Sequence, residues 1–118
     1  SVRAGMPSPD SDTRPDGLSI DEYLVGKPSR TILITVKGDS MIDAGIHPGD
    51  RVVVEKRVAA MPGDIVVAIV DNEFTLKRLA REKGRLVLKP ENKAYPVIRP
   101  KEDAEIYGVV VGLVRKYK

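Results

Sequence analysis

The chain has 118 residues, enough for one domain with one modest hydrophobic core. It has no cysteine, which excludes a disulfide framework and thiolate metal ligation, and its single histidine, His47, cannot assemble a zinc site of the usual His or Cys kind. The net charge of +3 comes from 20 basic and 17 acidic residues interspersed almost throughout, and the four tyrosines and one phenylalanine are scattered, a pattern that suits a solvated surface rather than a nucleic-acid face.

No apolar run approaches the roughly 20 residues of a membrane span, so a soluble, cytoplasmic protein is expected. Neither a metal nor a cofactor is expected, and no direct nucleic-acid binding. Because the sequence begins at Ser1 rather than Met, it is expected to be a fragment or a processed form.

Residues 1–17 are rich in Pro, Ser, Asp and Gly, and the run Met6-Pro-Ser-Pro-Asp10 suits neither a helix nor a central strand. They are expected to form a flexible arm ahead of a domain spanning 18–118. Ser19-Ile-Asp-Glu22 has capping-box spacing, and with Tyr23-Leu-Val-Gly26 it predicts a short helix of about two turns that ends before Pro28.

From Thr31 the pattern changes to short strands rich in Val, Ile and Leu. They are expected at Thr31–Lys37, Arg51–Lys56, Asp64–Val70, Glu73–Leu79, Arg85–Leu88 and Ile106–Arg115. The separators carry turn chemistry: His47-Pro-Gly-Asp50, Met61-Pro-Gly-Asp64, Asp71-Asn72 and Lys83-Gly84. Asp71-Asn72 predicts a tight hairpin. Pro-Gly-Asp followed by a Val-rich strand occurs twice, which reads as one turn-to-strand solution used twice rather than as a duplicated module. The fold class is therefore mainly β with one short N-terminal helix.

Ser40 follows the first strand in Lys37-Gly-Asp-Ser-Met-Ile-Asp43, where Gly38 permits a sharp change of direction. That is a suitable place for a nucleophile, although Gly-Asp-Ser is also ordinary turn vocabulary. Lys77 lies in Glu73-Phe-Thr-Leu-Lys-Arg-Leu79, where strand alternation places Thr75, Lys77 and Leu79 on one face and Phe74, Leu76 and Arg78 on the other. Of two adjacent cations, one must face inward or toward a rim. A lysine that snorkels from a half-exposed strand is the plain alternative. A lysine held in an apolar environment loses hydration of its ammonium form, and the neutral amine can then serve as a base. A serine needs such a base to attack a carbonyl, and Ser-Lys is an established variant of the serine hydrolase arrangement. Backbone N–H groups of Asp39 and Ser40 are candidates for an oxyanion site. Asp39 and Asp43 read as loop-stabilising groups rather than as an acidic catalytic pair.

Four blocks in order carry a family resemblance: Gly38-Asp-Ser-Met-Ile-Asp-Ala-Gly-Ile46, Gly49-Asp50 opening a Val-rich strand, Gly63-Asp-Ile-Val-Val67, and Phe74-Thr-Leu-Lys-Arg-Leu79. From about Ala4 to the C-terminus the chain resembles the self-cleaving Ser-Lys peptidase domain of LexA repressors, phage repressors and UmuD proteins, with a more distant likeness to signal peptidases. The resemblance implies a curved, partly barrel-like set of antiparallel strands. It also implies a catalytic dyad of Ser40 and Lys77 and cleavage of the chain's own Ala4–Gly5 bond.

The segments Gly5-Met-Pro-Ser-Pro-Asp10, Ile20-Asp-Glu-Tyr-Leu24 and Glu91-Asn-Lys-Ala-Tyr-Pro96 are most similar to the UmuD branch, where cysteine rather than Ala4 precedes the glycine. That likeness implies a homodimer, cleavage promoted by the RecA filament on single-stranded DNA in the SOS response, and a processed form that serves a UmuC-like error-prone, translesion DNA polymerase. The alternatives are the C-terminal self-cleavage and dimerisation domain of a LexA-like repressor, and a non-catalytic interaction module. A signal-peptidase-like enzyme acting on other proteins is disfavoured by the lack of an apolar anchor in the sequence.

Overall fold

The computed structural model describes residues 5, 8, 11–56, 59–102 and 104–118. Its frame is one six-stranded antiparallel sheet in the order β1-β2-β6-β3-β4-β5. The strands are β1 (Thr31–Thr35), β2 (Arg51–Lys56), β3 (Ile65–Val70), β4 (Glu73–Glu82), β5 (Arg85–Lys89) and β6 (Glu105–Val114). One helix, α1 (Ile20–Leu24), precedes them. The mainly β expectation holds. The sheet is not closed: β1 and β5 are its edges.

The hairpin expected at Asp71-Asn72 joins β3 to β4, pairing Val70 with Glu73. Both central residues have positive φ, 51° and 64°, the type I′ geometry whose twist matches that of the flanking strands. Lys83 and Gly84 repeat it between β4 and β5. The capping box also forms: the Glu22 N–H donates to Ser19 Oγ at 3.1 Å and the Ser19 N–H to Glu22 Oε1 at 3.3 Å. The helix is shorter than expected and ends at Leu24, with Val25 already extended. Pro28 opens a single 3-10 turn, Pro28–Arg30, that leads into β1.

Two strand ends differ from expectation by more than one residue. β1 stops at Thr35 because Val36 turns to the loop before β2: its N–H donates to the Asp50 carbonyl and its carbonyl accepts from the Gly49 N–H, both at 2.8 Å. β4 continues to Glu82 because β5 pairs with its second half, from Arg78↔Lys89 to Glu82↔Arg85.

Strand alternation divides the core between two clusters. Val52, Val54 and Val67 pack with Met41 and Ile46 in one cluster, whereas Val66, Ala68 and Val109 pack with Leu79 and Leu88 in the other. Burying these aliphatic side chains contributes roughly 1.5–3 kcal/mol each relative to exposure. Helix α1 sits against β6 at Gly112, where an added Cβ would come within 2.7 Å of Leu24 Cδ2.

Candidate active site

The sheet curls enough that the chain following β1 and the start of β4 share one groove, although three strands separate them in the sheet. The groove encloses about 600 Å³, with an apolar floor that includes Ile34, Met41, Val52 and Leu76. Ser40 and Lys77 both open onto it.

Ser40 lies just beyond β1, in the turn that leads into a short 3-10 segment, Ile42–Ala44. That turn is held from outside itself. The Glu91 N–H donates to the Ser40 carbonyl and the Asp43 N–H to the Glu91 carbonyl, both at 2.8 Å. Asn92 Nδ2 donates to the Asp39 carbonyl at 2.9 Å, and the Tyr95 hydroxyl donates to Asp39 Oδ1. Asp39 is therefore a loop-stabilising group. Its carboxylate holds the Tyr95 phenol above its ordinary pKa, because losing that proton would break the hydrogen bond and set two anions together.

Lys77 occupies the middle of β4, paired with Val66, and is 7 % exposed. Its Nζ lies 3.1 Å from Ser40 Oγ, 2.8 Å from Thr75 Oγ1 and 3.2 Å from the Leu76 carbonyl oxygen. All three neighbours are neutral, and among the described residues no carboxylate pairs with it. Burial without a counter-ion disfavours the ammonium form and pushes the Lys77 pKa below its ordinary 10.5. An amine in that condition at hydrogen-bond distance from a serine hydroxyl can take its proton as the oxygen attacks a carbonyl. Among the described residues, the N–H groups of Asp39 and Ser40 have no backbone or side-chain acceptor within the protein.

The structure thus brings Ser40 and Lys77 together across 37 residues of sequence. A family model, Peptidase S24-like, matches residues 1–111. The chain belongs to the Peptidase S24-like family. Protein SamA of Salmonella typhimurium is 43 % identical over 113 residues, covering 96 % of this chain and 79 % of that protein. Protein MucA of Salmonella typhimurium is 46 % identical over 112 residues, covering 92 % and 76 %. The LexA repressor of Opitutus terrae is 47 % identical over 120 residues, covering 99 % of this chain and 60 % of the repressor. The chain thus spans little more than half the length of the LexA repressors it matches. These relatives agree with the LexA and UmuD type of S24-like peptidase expected from the sequence blocks.

Of the other residues singled out in the sequence, Ala4 lies outside the described residues, and Gly5 is exposed. His47 is a turn residue whose N–H donates to Asp50 Oδ2. Thr75 was legible as sharing the face of Lys77, though not as a partner of its amine. Glu91, Asn92 and Tyr95 were missed as parts of the site, because their contacts with Asp39 and Ser40 cross more than 50 residues and leave no periodic trace. The helices of the described residues include none long and apolar enough to cross a membrane.

Proposed function

We propose that this S24-like chain is a serine peptidase that cuts its own Ala4–Gly5 bond, with Ser40 as nucleophile and Lys77 as general base. The observation that carries this reading is the 3.1 Å contact between Ser40 Oγ and a buried lysine amine that has no acidic partner among the described residues. Residues 1–17 would be the arm that carries the scissile bond, and 18–118 the peptidase domain.

In this mechanism Ser40 Oγ attacks the Ala4 carbonyl carbon as Lys77 Nζ takes the hydroxyl proton. The N–H groups of Asp39 and Ser40 hold the oxyanion, which concentrates stabilisation where charge develops. The Lys77 ammonium then protonates the departing Gly5 amine, leaving Ala4 as an ester on Ser40. A water deprotonated by Lys77 hydrolyses that ester and releases residues 1–4. Thr75 Oγ1 and the Leu76 carbonyl oxygen hold Nζ in place throughout. The open groove has room for an extended arm, and the small Ala4 side chain and the lack of one at Gly5 allow the scissile backbone to approach Ser40 closely. Beside the groove, β5 pairs β4 only from Arg78 onward, so, among the described residues, 73–77 keep an unpaired edge where an extended segment can add hydrogen bonds.

The likeness to SamA and MucA supports a role in the SOS system. In that role the chain is a cytoplasmic homodimer, cut under the influence of the RecA filament, whose processed form is an accessory subunit of an error-prone translesion polymerase of the UmuC type. The 47 % identity to a LexA repressor favours a second reading, the self-cleavage and dimerisation domain of a transcriptional repressor. A helix-turn-helix upstream of Ser1 in the native gene product would decide for it.

The test is intact mass against time at about pH 10, where more lysine is neutral. Wild type should lose Ser1–Ala4, while Ser40→Ala and Lys77→Ala slow the loss at least about a thousandfold, as removal of either member of a nucleophile-base pair does. An intact wild type, or equal cutting of the variants, leaves a non-catalytic interaction module in its place.

A further inference from the structure

Ser40 and Lys77 come from elements that do not pair with each other, so their separation has to be set by something that touches both. One residue after β5 does so. Glu91 Oε1 accepts from Arg78 Nε at 2.8 Å, which ties it to β4 one residue beyond Lys77. Its backbone brackets the nucleophile turn: the N–H donates to the Ser40 carbonyl and the carbonyl accepts from the Asp43 N–H. Arg78 is itself fixed, because Nη1 donates to the Gly63 carbonyl at 2.8 Å. Asn92 and Tyr95 extend the same grip to Asp39.

The geometry points to Glu91 as a positioning residue: through its ion pair with Arg78 it locks the Ser40 turn in register with the Lys77 strand and so sets the Oγ–Nζ distance. Glu91 does not line the groove and makes no hydrogen bond to Ser40 Oγ or Lys77 Nζ. Its contribution is to hold a near-attack arrangement that the sheet alone leaves free, and a displacement of about 1 Å at such a site costs on the order of a hundredfold in rate. The pair is only about one-third exposed on either side, so water competes for it less than for a surface pair. This inference rests on the reading of Ser40 and Lys77 as the working dyad.

The experiment uses the full chain and follows the self-cleavage rate by intact mass across pH for wild type, Glu91→Ala, Glu91→Gln and Arg78→Met, with Ser40→Ala as control. Thermal melts establish that each variant is folded at the assay temperature. Glu91→Ala and Arg78→Met should lower the plateau rate at least about tenfold. The pH midpoint should stay that of wild type, because the burial of Lys77 is unchanged. Glu91→Gln, which can still accept from Arg78 Nε, should fall between wild type and Glu91→Ala. Folded Glu91→Ala and Arg78→Met chains that cleave at the wild-type rate overturn the inference and leave the dyad standing. So does a rate loss that simply tracks the unfolded fraction, or a shifted midpoint, which would mean that Glu91 acts on the charge of Lys77. A wild type that stays whole, or a Ser40→Ala chain that is cut, overturns the dyad and the inference together.

Discussion

The turns His47–Asp50 and Met61–Asp64 are the same piece of structure built twice. In each, the aspartate Oδ2 accepts from the N–H three residues back, at 2.8 Å for His47 and 2.9 Å for Met61. Each aspartate N–H returns to the carbonyl of that same residue at 3.0 Å, and each glycine has a positive φ, 93° at Gly49 and 100° at Gly63. Each turn also clamps one residue through two backbone bonds, Val36 just beyond β1 in the first case and Leu79 of β4 in the second. Val36 lies four residues before Ser40, and Leu79 two after Lys77, so the twin turns fix the approaches to the two halves of the site.

Their difference lies beyond the turn itself. Asp50 is 3 % exposed and forms an ion pair through both oxygens with Arg115, which also donates to the Gly45 carbonyl. Asp64 is half-buried, and no cation pairs with it among the described residues. The same local chemistry is therefore a self-contained turn in one place and, in the other, an anchor that ties the C-terminal end of the sheet to the segment following Ser40.

The largest expected effect separates the twins outright. Asp50→Asn should lower Tm by several times the shift of Asp64→Asn, because it leaves Arg115 without its carboxylate, whereas Asp64→Asn weakens one exposed hydrogen bond at a cost of about 1 kcal/mol. Paired thermal melts at neutral pH read the difference, and equal shifts would mean that the Arg115 pair adds nothing. The acid limb is a second reading of it. Arg115 and the His47 N–H hold the Asp50 carboxyl well below its ordinary 3.8, so the pair stabilises the fold fully above that value and its contribution is lost as pH falls through the folded-state value. Asp50→Asn should flatten that limb, and a limb unchanged by Asp50→Asn would mean that the Arg115 pair adds nothing to it.

Next in size is Lys77→Met, with the opposite sign. Replacing a buried amine that lacks a counter-ion among the described residues by an apolar side chain should raise stability by roughly 1–3 kcal/mol while abolishing cleavage. Between the lowered folded-state pKa and 10.5 the unfolded chain binds more protons at Lys77 than the folded one, so wild-type stability from this group rises with pH. The gain from Lys77→Met should accordingly be largest near neutral pH and shrink toward 10.5, as urea titrations at two pH values would show.

The smallest contrast should be none. Gly49→Ala and Gly63→Ala each force a side chain into positive φ at a cost of about 1–2 kcal/mol, and the two costs should agree, because the backbone of the twins is the same. Unequal costs in urea denaturation would show that the Arg115 anchor strains the first turn.

Much of this architecture was legible in the sequence because it is local. The Pro-Gly-Asp repeat, the Asp71-Asn72 hairpin and the capping box at Ser19 all follow from spacing within a few residues, whereas spacing required only that one of Lys77 and Arg78 face inward or toward a rim. The features that distinguish the twins were not legible. Arg115 reaches Asp50 across 65 residues, and the sheet order inserts β6 between β2 and β3, a neighbour relation that no turn encodes. The resemblance placed Ser40 beside Lys77, but nothing local pointed to Glu91 as the residue that bridges their elements.

The central claim is that Lys77 works as a neutral base because it is buried beside Ser40. The pH dependence of the self-cleavage rate, followed by intact mass from about pH 6 to about pH 11, tests it most directly. The account predicts a rise governed by one deprotonation, with a midpoint below 10.5 and a plateau above it. A rate that is flat in pH, or a midpoint at or above 10.5, would contradict it.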